Sequence, residues 1–218
     1  MIYADRNIKA IVFDMDGVII DTEKYLTKYW CMAAREYGYP MELQHAFSIR
    51  SLQGKYASCK LKDIFGNEFD YEKVRNRRKE LMNDHIMKNG IEGKPYVREA
   101  LEILKGKGYV LAIATSTDYE RTKQYLSDIG VFSYFDTIVC ANMVTNGKPD
   151  PDIYLYACEQ LGLPPQECIA VEDSPNGVKS AVAAGVNVVM IPDLTEATED
   201  ELEHAIVLEN LKELADNV

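Results

Sequence analysis

Nowhere in the 218 residues is there a run of about 18 uncharged apolar residues, so no segment reads as a membrane span. The apolar run Ala10–Phe13 follows Asp5, Arg6 and Lys9 and is too short for a signal sequence. Cysteine is scarce. Cys31, Cys59, Cys140, Cys158 and Cys168 are odd in number, and no two sit at C-x-x-C spacing. That excludes a disulfide framework and leaves reduced, mostly buried thiols, as expected of a cytoplasmic protein. Histidine is scarcer still. His45, His85 and His204 lie far apart and outside any H-x-x-x-H pattern, so no His/Cys cluster competes for zinc, and surface or peripheral roles are expected. An excess of basic residues is also missing. With 24 Lys and Arg against 35 Asp and Glu the net charge is −11, which argues against a nucleic-acid partner. Nothing in the pattern demands an oligomer, and a monomer is favoured.

What is present is alternation. Ile8–Phe13 is a continuous apolar run with β-branched residues, which reads as a strand buried on both faces. Similar runs follow at Tyr109–Ala114, Thr137–Cys140, Cys168–Val171 and Asn187–Ile191. Helical patterns lie between them at Tyr96–Lys107, Tyr119–Ile129, Asp152–Leu161 and Asn176–Ala184, and Gly130, Gly162 and Gly185 stand where helices end. Strand alternating with helix predicts an α/β fold, a Rossmann-like parallel sheet with helices on both faces. One stretch breaks the rhythm. Residues 22–90 have helical composition, clearest over Glu23–Tyr37 and Tyr71–Lys88, and predict a small all-helical cap domain inserted after the first strand. The core would then comprise residues 1–21 and 91–218. The acidic segment Glu196–Glu203 reads as a solvated helix or loop.

Chemistry gathers at strand ends. The first strand runs into Asp14-Met15-Asp16-Gly17, two carboxylates that are costly together unless a cation joins them. The later acidic positions of a calcium EF-hand are missing. The second strand ends in Thr115-Ser116-Thr117, hydroxyls and amides at the start of a helix, which suits an anion. After the third comes Gly147-Lys148-Pro149-Asp150-Pro151, a fixed positive charge without the rest of a Walker A loop. The fourth ends in a second acidic pair, Glu172-Asp173-Ser174. Each piece alone has a bland reading as a helix cap or surface charge. In open parallel sheets ligands bind beyond the carboxyl ends of strands, and four such pieces in order at those ends are harder to dismiss.

The set resembles the haloacid dehalogenase superfamily. Asp14-Met15-Asp16-Gly17-Val18, Thr115-Ser116, Lys148-Pro149 and Glu172-Asp173-Ser174-Pro175-Asn176-Gly177 carry the resemblance. The insert after the first motif is similar to the helical cap of relatives such as β-phosphoglucomutase and sugar phosphatases. The resemblance implies a phosphoryl-transfer enzyme in which Asp14 attacks phosphorus and forms an aspartyl-phosphate. Asp16 would protonate the leaving oxygen, then deprotonate the acceptor. Thr115 and the Ser116 backbone would hold phosphoryl oxygens, and Lys148 would pair with Asp14 and the phosphate. Mg²⁺ would be held by Asp14, Asp173 and the Asp16 carbonyl, with Glu172 joining directly or through water. Asp16 also separates reactions, because the dehalogenases and phosphonatases of the superfamily lack that second aspartate. The leading expectation is a phosphatase of a small phosphorylated metabolite, a sugar phosphate foremost. A phosphomutase is the close alternative, and a non-catalytic binding domain the distant one.

Charge distribution bears on the substrate. Residues 22–90 hold 13 Lys and Arg against 9 Asp and Glu, whereas the rest holds 11 against 26. Arg75, Arg77, Arg78 and Lys79 form the densest basic cluster. It either draws an anionic substrate inward or simply solvates a helix. Arg50, in a loop comparable to one that meets substrate in the mutases, and Glu23, near the first hinge, are candidate substrate contacts.

Overall fold

The computed structural model describes residues 2–3 and 6–218. Among these, six strands form one parallel sheet: β1 (Ala10–Phe13), β2 (Val110–Thr115), β3 (Thr137–Cys140), β4 (Cys168–Glu172), β5 (Asn187–Met190) and β6 (Ile206–Val207). Their order is β3-β2-β1-β4-β5-β6. Thus β1 sits centrally between β2 and β4, and the chain reverses its winding beside it. That switch point opens a crevice at the carboxyl ends of the strands.

Alternation along the strands sorts residues into two layers. Ile11, Phe13, Leu111, Ile113, Ile169 and Val171 face one side, where they pack with α5 (Val97–Gly106), α6 (Tyr119–Asp128) and α10 (Leu211–Asn217). Ala10, Val12, Ala112, Ala114 and Ala170 face the other, against α7 (Asp152–Leu161) and α8 (Pro175–Ala183). These strands are fully buried, which is why they read as unbroken apolar runs.

The remaining helices follow β1: α1 (Glu23–Glu36), α2 (Leu43–Phe47), α3 (Gly54–Phe65) and α4 (Tyr71–Asn89). They have a core of their own, with Trp30, Met41, Leu61, Phe69 and Val74 at its centre. The two connectors between this layer and the sheet run side by side. The Asp21 amide donates to Glu92 O (2.9 Å) and the Lys94 amide to Ile19 O (2.9 Å). The acidic segment becomes α9 (Glu199–His204), and it is not wholly solvated. Glu201 is buried because its carboxylate accepts from the Thr198 amide (2.8 Å) and hydroxyl (2.6 Å) and so closes the helix start. Four of the cysteines are buried and Cys59 is exposed. Among the described residues no helix is long and apolar enough to cross a membrane.

Candidate active site

β1 delivers Asp14 to the crevice, and β4 delivers Glu172 and Asp173 beside it. One carboxylate oxygen from each lies within 4.8 Å of the others. All three side chains are buried, as is Lys148, which descends from the loop after β3. The Lys148 ammonium donates to Asp14 Oδ1 (2.5 Å) and Ala114 O (3.0 Å) and pairs with Glu172 Oε1 (2.6 Å). Burial alone would depress its pKa, but the two carboxylates outweigh burial and hold it above the usual lysine value. Lys148 is therefore a permanent cation, and the surface-charge reading is excluded by its position.

Glycine makes room for this cluster. At Gly17, with φ +88°, a Cβ would run into the Asp173 carboxylate and lie 3.2 Å from Glu23 Cγ. At Gly177 a Cβ would overlap the Glu172 carboxylate. Two motif glycines thus exist to let backbone approach carboxylates.

Charge balance at the cluster is incomplete. Glu172 Oε2 and Asp173 Oδ1 are sealed from solvent and, among the described residues, have no hydrogen-bond partner. Burial, reinforced by Asp14, holds Glu172 up at about 7 despite Lys148. Burial likewise holds Asp173 up at about 8 against the pull of Arg50, with Asp14 and Glu172 adding to the rise. Oxygen donors that resist ionisation for want of a cation suit a hard divalent ion.

Asp16 sits apart from these three. Its carboxylate accepts from the Thr22 hydroxyl and from the Thr117 hydroxyl (3.0 Å), and it keeps a window on the cavity. Burial and then the Asp14 charge raise its pKa, opposed by the two hydroxyls. The Thr115 side chain closes the end of β2, its Oγ1 accepting from the Thr117 amide (3.1 Å). The Ser116 hydroxyl is turned to Ser51 O (2.7 Å), which leaves Ser116 only its backbone to offer. α6 begins at Tyr119, where its pattern predicted, because Asp118 caps it through the Arg121 amide (3.1 Å).

Arg50 and Glu23 are brought together, and both are buried. The Arg50 guanidinium donates to the Asp173 carboxylate, to Asp173 O (3.2 Å) and to Thr195 Oγ1 (3.2 Å), and its Nε lies 3.5 Å from Glu23. Its backbone is held by Asn176 (2.9 Å). The basic cluster divides. Arg77 points outward to Glu36 (2.6 Å) and Glu80 (2.9 Å), while Arg75, Arg78 and Lys79 line a cavity of about 300 Å³ that also contains Asp14, Asp16 and Thr115. None of the three histidines lines it; His85 bonds Tyr29 (3.0 Å) and His45 accepts from the Glu42 amide (3.0 Å).

The profile of haloacid dehalogenase-like hydrolases matches residues 11–191. The chain belongs to that family. Among relatives of this haloacid dehalogenase-like hydrolase, the phosphorylated carbohydrates phosphatase of Thermotoga maritima is 33% identical over 183 residues, covering 82% of each chain. Hexitol phosphatase A of Escherichia coli is 31% identical over 185 residues, covering 84% of this chain and 82% of its own. A β-phosphoglucomutase structure from Clostridium difficile superposes with a TM-score of 0.79 over 95% of this chain and 93% of that one; at 24% identity it speaks for the fold alone. Family phosphatases generally use Mg²⁺, and the buried Asp14–Glu172–Asp173 cluster is where this hydrolase concentrates oxygen donors.

Two members of the site, Tyr154 and Thr22, carried no sequence signal at a strand end, and Thr117, read there as part of an anion site, has another partner. Tyr154, fully buried on α7, donates to Glu172 Oε1 (2.5 Å). Thr22 and Thr117 hold Asp16. The clue for Tyr154 was available: it carries a hydroxyl into the apolar stripe Ile153, Ala157, Cys158.

Proposed function

We propose that this hydrolase is a phosphatase of small phosphorylated metabolites, sugar phosphates foremost, that works through an aspartyl-phosphate on Asp14. The observation that carries the reading is the convergence of Asp14, Lys148, Glu172 and Asp173 beside a separately held Asp16. The phosphatase relatives act, by name, on phosphorylated carbohydrates and hexitols, which supports the substrate class.

Each side chain has a task. Asp14 Oδ attacks phosphorus while the ester oxygen leaves, and Asp16 supplies the proton that oxygen needs. Burial and the Asp14 charge raise the Asp16 pKa, which favours holding that proton. Asp16, now ionised, takes a proton from water as water attacks the phosphorus of the acyl phosphate. Inorganic phosphate departs and Asp14 is restored. Lys148 holds Asp14 in line and balances charge on the phosphoryl oxygens, which Thr115 and the Ser116 amide receive. Mg²⁺ would be held by Asp14, Asp173 and the Asp16 carbonyl, with Glu172 supporting, and would offset the charge of the transferring group. We assign residues 22–90 to a cap domain that closes over the cavity and excludes bulk water.

The test is phosphate release from a panel of sugar phosphates with Mg²⁺. Inorganic phosphate, not an isomerised sugar phosphate, is the expected product. Asp14→Asn should lower kcat by at least about 1,000-fold, the scale of losing a nucleophile. An equal rate from wild type and Asp14→Asn would remove Asp14 from its role.

A further inference from the structure

The α4 stripe Tyr71, Arg75, Arg78, Lys79, Met82 faces the reaction cavity, and Arg121 from α6 lines the same space. Four cations from these two helices therefore line one small volume, besides Arg50, which is paired with Asp173 and Glu23. Among the described residues, no carboxylate hydrogen-bonds any of the four side chains. The nearest pairing is Arg75 with Glu72 at 3.8 Å, a neighbour on the same helix. Of the acids that line the same cavity, Asp16 accepts from Thr22 and Thr117, Asp14 pairs with Lys148, Glu23 faces Arg50, and Asp118 caps α6.

Arg78 is the centre of the group. Its Nε is sealed from solvent with no partner among the described residues, and its guanidinium carbon lies 5.2 Å from the centroid of the Trp30 ring. Burial, and then repulsion from Arg75 and Arg121, pull it down to about 10, opposed by Tyr71 and Asp16. Arg77, one residue earlier, has its acids. A guanidinium with one nitrogen sealed from water and no carboxylate partner costs free energy unless an anion arrives to meet it. The transferring phosphoryl group is not that anion, because Lys148, Thr115 and the Ser116 amide already receive it at the strand ends.

We propose that Arg75, Arg78, Lys79 and Arg121 form a second anion subsite, and that the substrate is a compact phosphate monoester bearing a further phosphate or carboxylate at the end remote from the scissile bond. The proposal rests on the phosphatase reading above and narrows it. A volume of about 300 Å³ is at the small end for metabolite sites, which suits a short molecule.

The experiment compares kcat/KM, with Mg²⁺, for sugar monophosphates with neutral tails, sugar bisphosphates and phosphorylated sugar acids. The wild type should favour at least one anionic-tailed class by about 100-fold, the worth of a desolvated charge contact. The better of the two classes identifies the second group as phosphate or carboxylate. Arg78→Met keeps an aliphatic stem on Trp30 and removes the charge. It should bring the anionic-to-neutral ratio to within about 3-fold of unity, and Arg78→Lys should retain part of the preference. A wild-type ratio near unity, or a ratio intact in Arg78→Met, overturns the subsite. Binding gives an arm independent of turnover. Calorimetric titration of the sugar bisphosphate into Asp14→Asn and into Asp14→Asn/Arg78→Met should show affinity at least about 30-fold weaker in the second. Equal affinities overturn the subsite. That loss of affinity without phosphate release from any wild-type reaction would instead keep the subsite and sink the phosphatase reading.

Discussion

Gly177→Ala adds one methyl group at the most crowded point of the site. Gly177 is the third residue of α8, and its amide donates to the Ser174 side chain (3.2 Å). Its missing Cβ is the space that the Glu172 carboxylate fills. The helix start is pinned by Ser174, so the carboxylate must yield. Moving it breaks the contacts to Lys148 (2.6 Å) and Tyr154 (2.5 Å). Hydrogen bonds involving a charged group contribute about 1.5–3 kcal/mol each, so the loss is roughly 3–6 kcal/mol. Against that, alanine gains up to about 1 kcal/mol over glycine in a helix. The net expectation is a destabilisation of about 2–5 kcal/mol, read by urea unfolding monitored by circular dichroism. A double-mutant cycle isolates the cause. In a Glu172→Ala background the obstruction is gone, and Gly177→Ala should be neutral or slightly stabilising. The coupling energy should exceed about 2 kcal/mol, well beyond the additivity expected of independent sites. If the two substitutions simply add, the glycine is not there for the carboxylate and the reasoning fails.

Lys148→Met leaves Asp14 and Glu172 buried without their shared cation; a stability loss of about 3–5 kcal/mol by chemical denaturation is expected, and a loss below about 1 kcal/mol contradicts the buried pair. Arg50→Met removes the cation now resting on Asp173, so Mg²⁺ binding followed by calorimetry should become tighter by about 10-fold, a coupling of about 1.4 kcal/mol; weaker binding would mean that Arg50 assists the metal site. Protonation has a definite sign here. Glu172 at about 7 and Asp173 at about 8 lie above ordinary carboxylate values, so the folded, chelated protein holds more protons than the unfolded chain. Their contribution to stability is full below about pH 4 and is lost as pH rises through 7 and 8. The melting temperature in EDTA should fall between pH 5.5 and 9, and the increment from saturating Mg²⁺ should grow over the same range; a flat profile in EDTA would contradict the raised values.

How much of this was legible in the sequence depended on whether a signal was local. The five longer strands were visible because burial on both faces makes unbroken apolar runs, as in Ala10–Phe13 and Cys168–Val171. β6 has only Ile206 and Val207 at a sheet edge, too few residues to show a period. Asp14, Glu172 and Asp173 were legible because each lies at the carboxyl end of a strand, and Lys148 because it stands in the loop after one. Tyr154 was not, because it reaches Glu172 from another element and its own neighbourhood resembles a helix; Thr117 showed only as part of an anion site, and its bond to Asp16 joins residues 101 apart in sequence. The basic run on α4 shows the intermediate case. Composition grouped Arg77 with Arg78, but consecutive helical residues point about 100° apart. The buried stripe Tyr71, Val74, Met82 carries Arg78 with it and leaves Arg77 outside. Phase, not charge count, decided which arginine meets the cavity.

One loop joins the two layers. Between α2 and α3, Ser51 O accepts from Ser116, the Gln53 amide donates to Lys148 O (3.0 Å), and Arg50 binds Asp173 while Asn176 holds its carbonyl. Residues 50–53 therefore touch the loops after β2, β3 and β4 at once. A shift of this loop would move Ser116, Lys148 and Asp173 together, so under the proposed mechanism specificity and catalysis could not be tuned separately there. The α4 stripe has no such tie. Tyr71, Arg75, Arg78 and Lys79 meet the cavity from a helix packed on Trp30 and its own layer, so their identities can change what the far end of the substrate must be without disturbing Asp14. On the subsite proposed above, chemistry and substrate choice would rest on different supports, with the cavity-facing cations of α4 on the support that chooses.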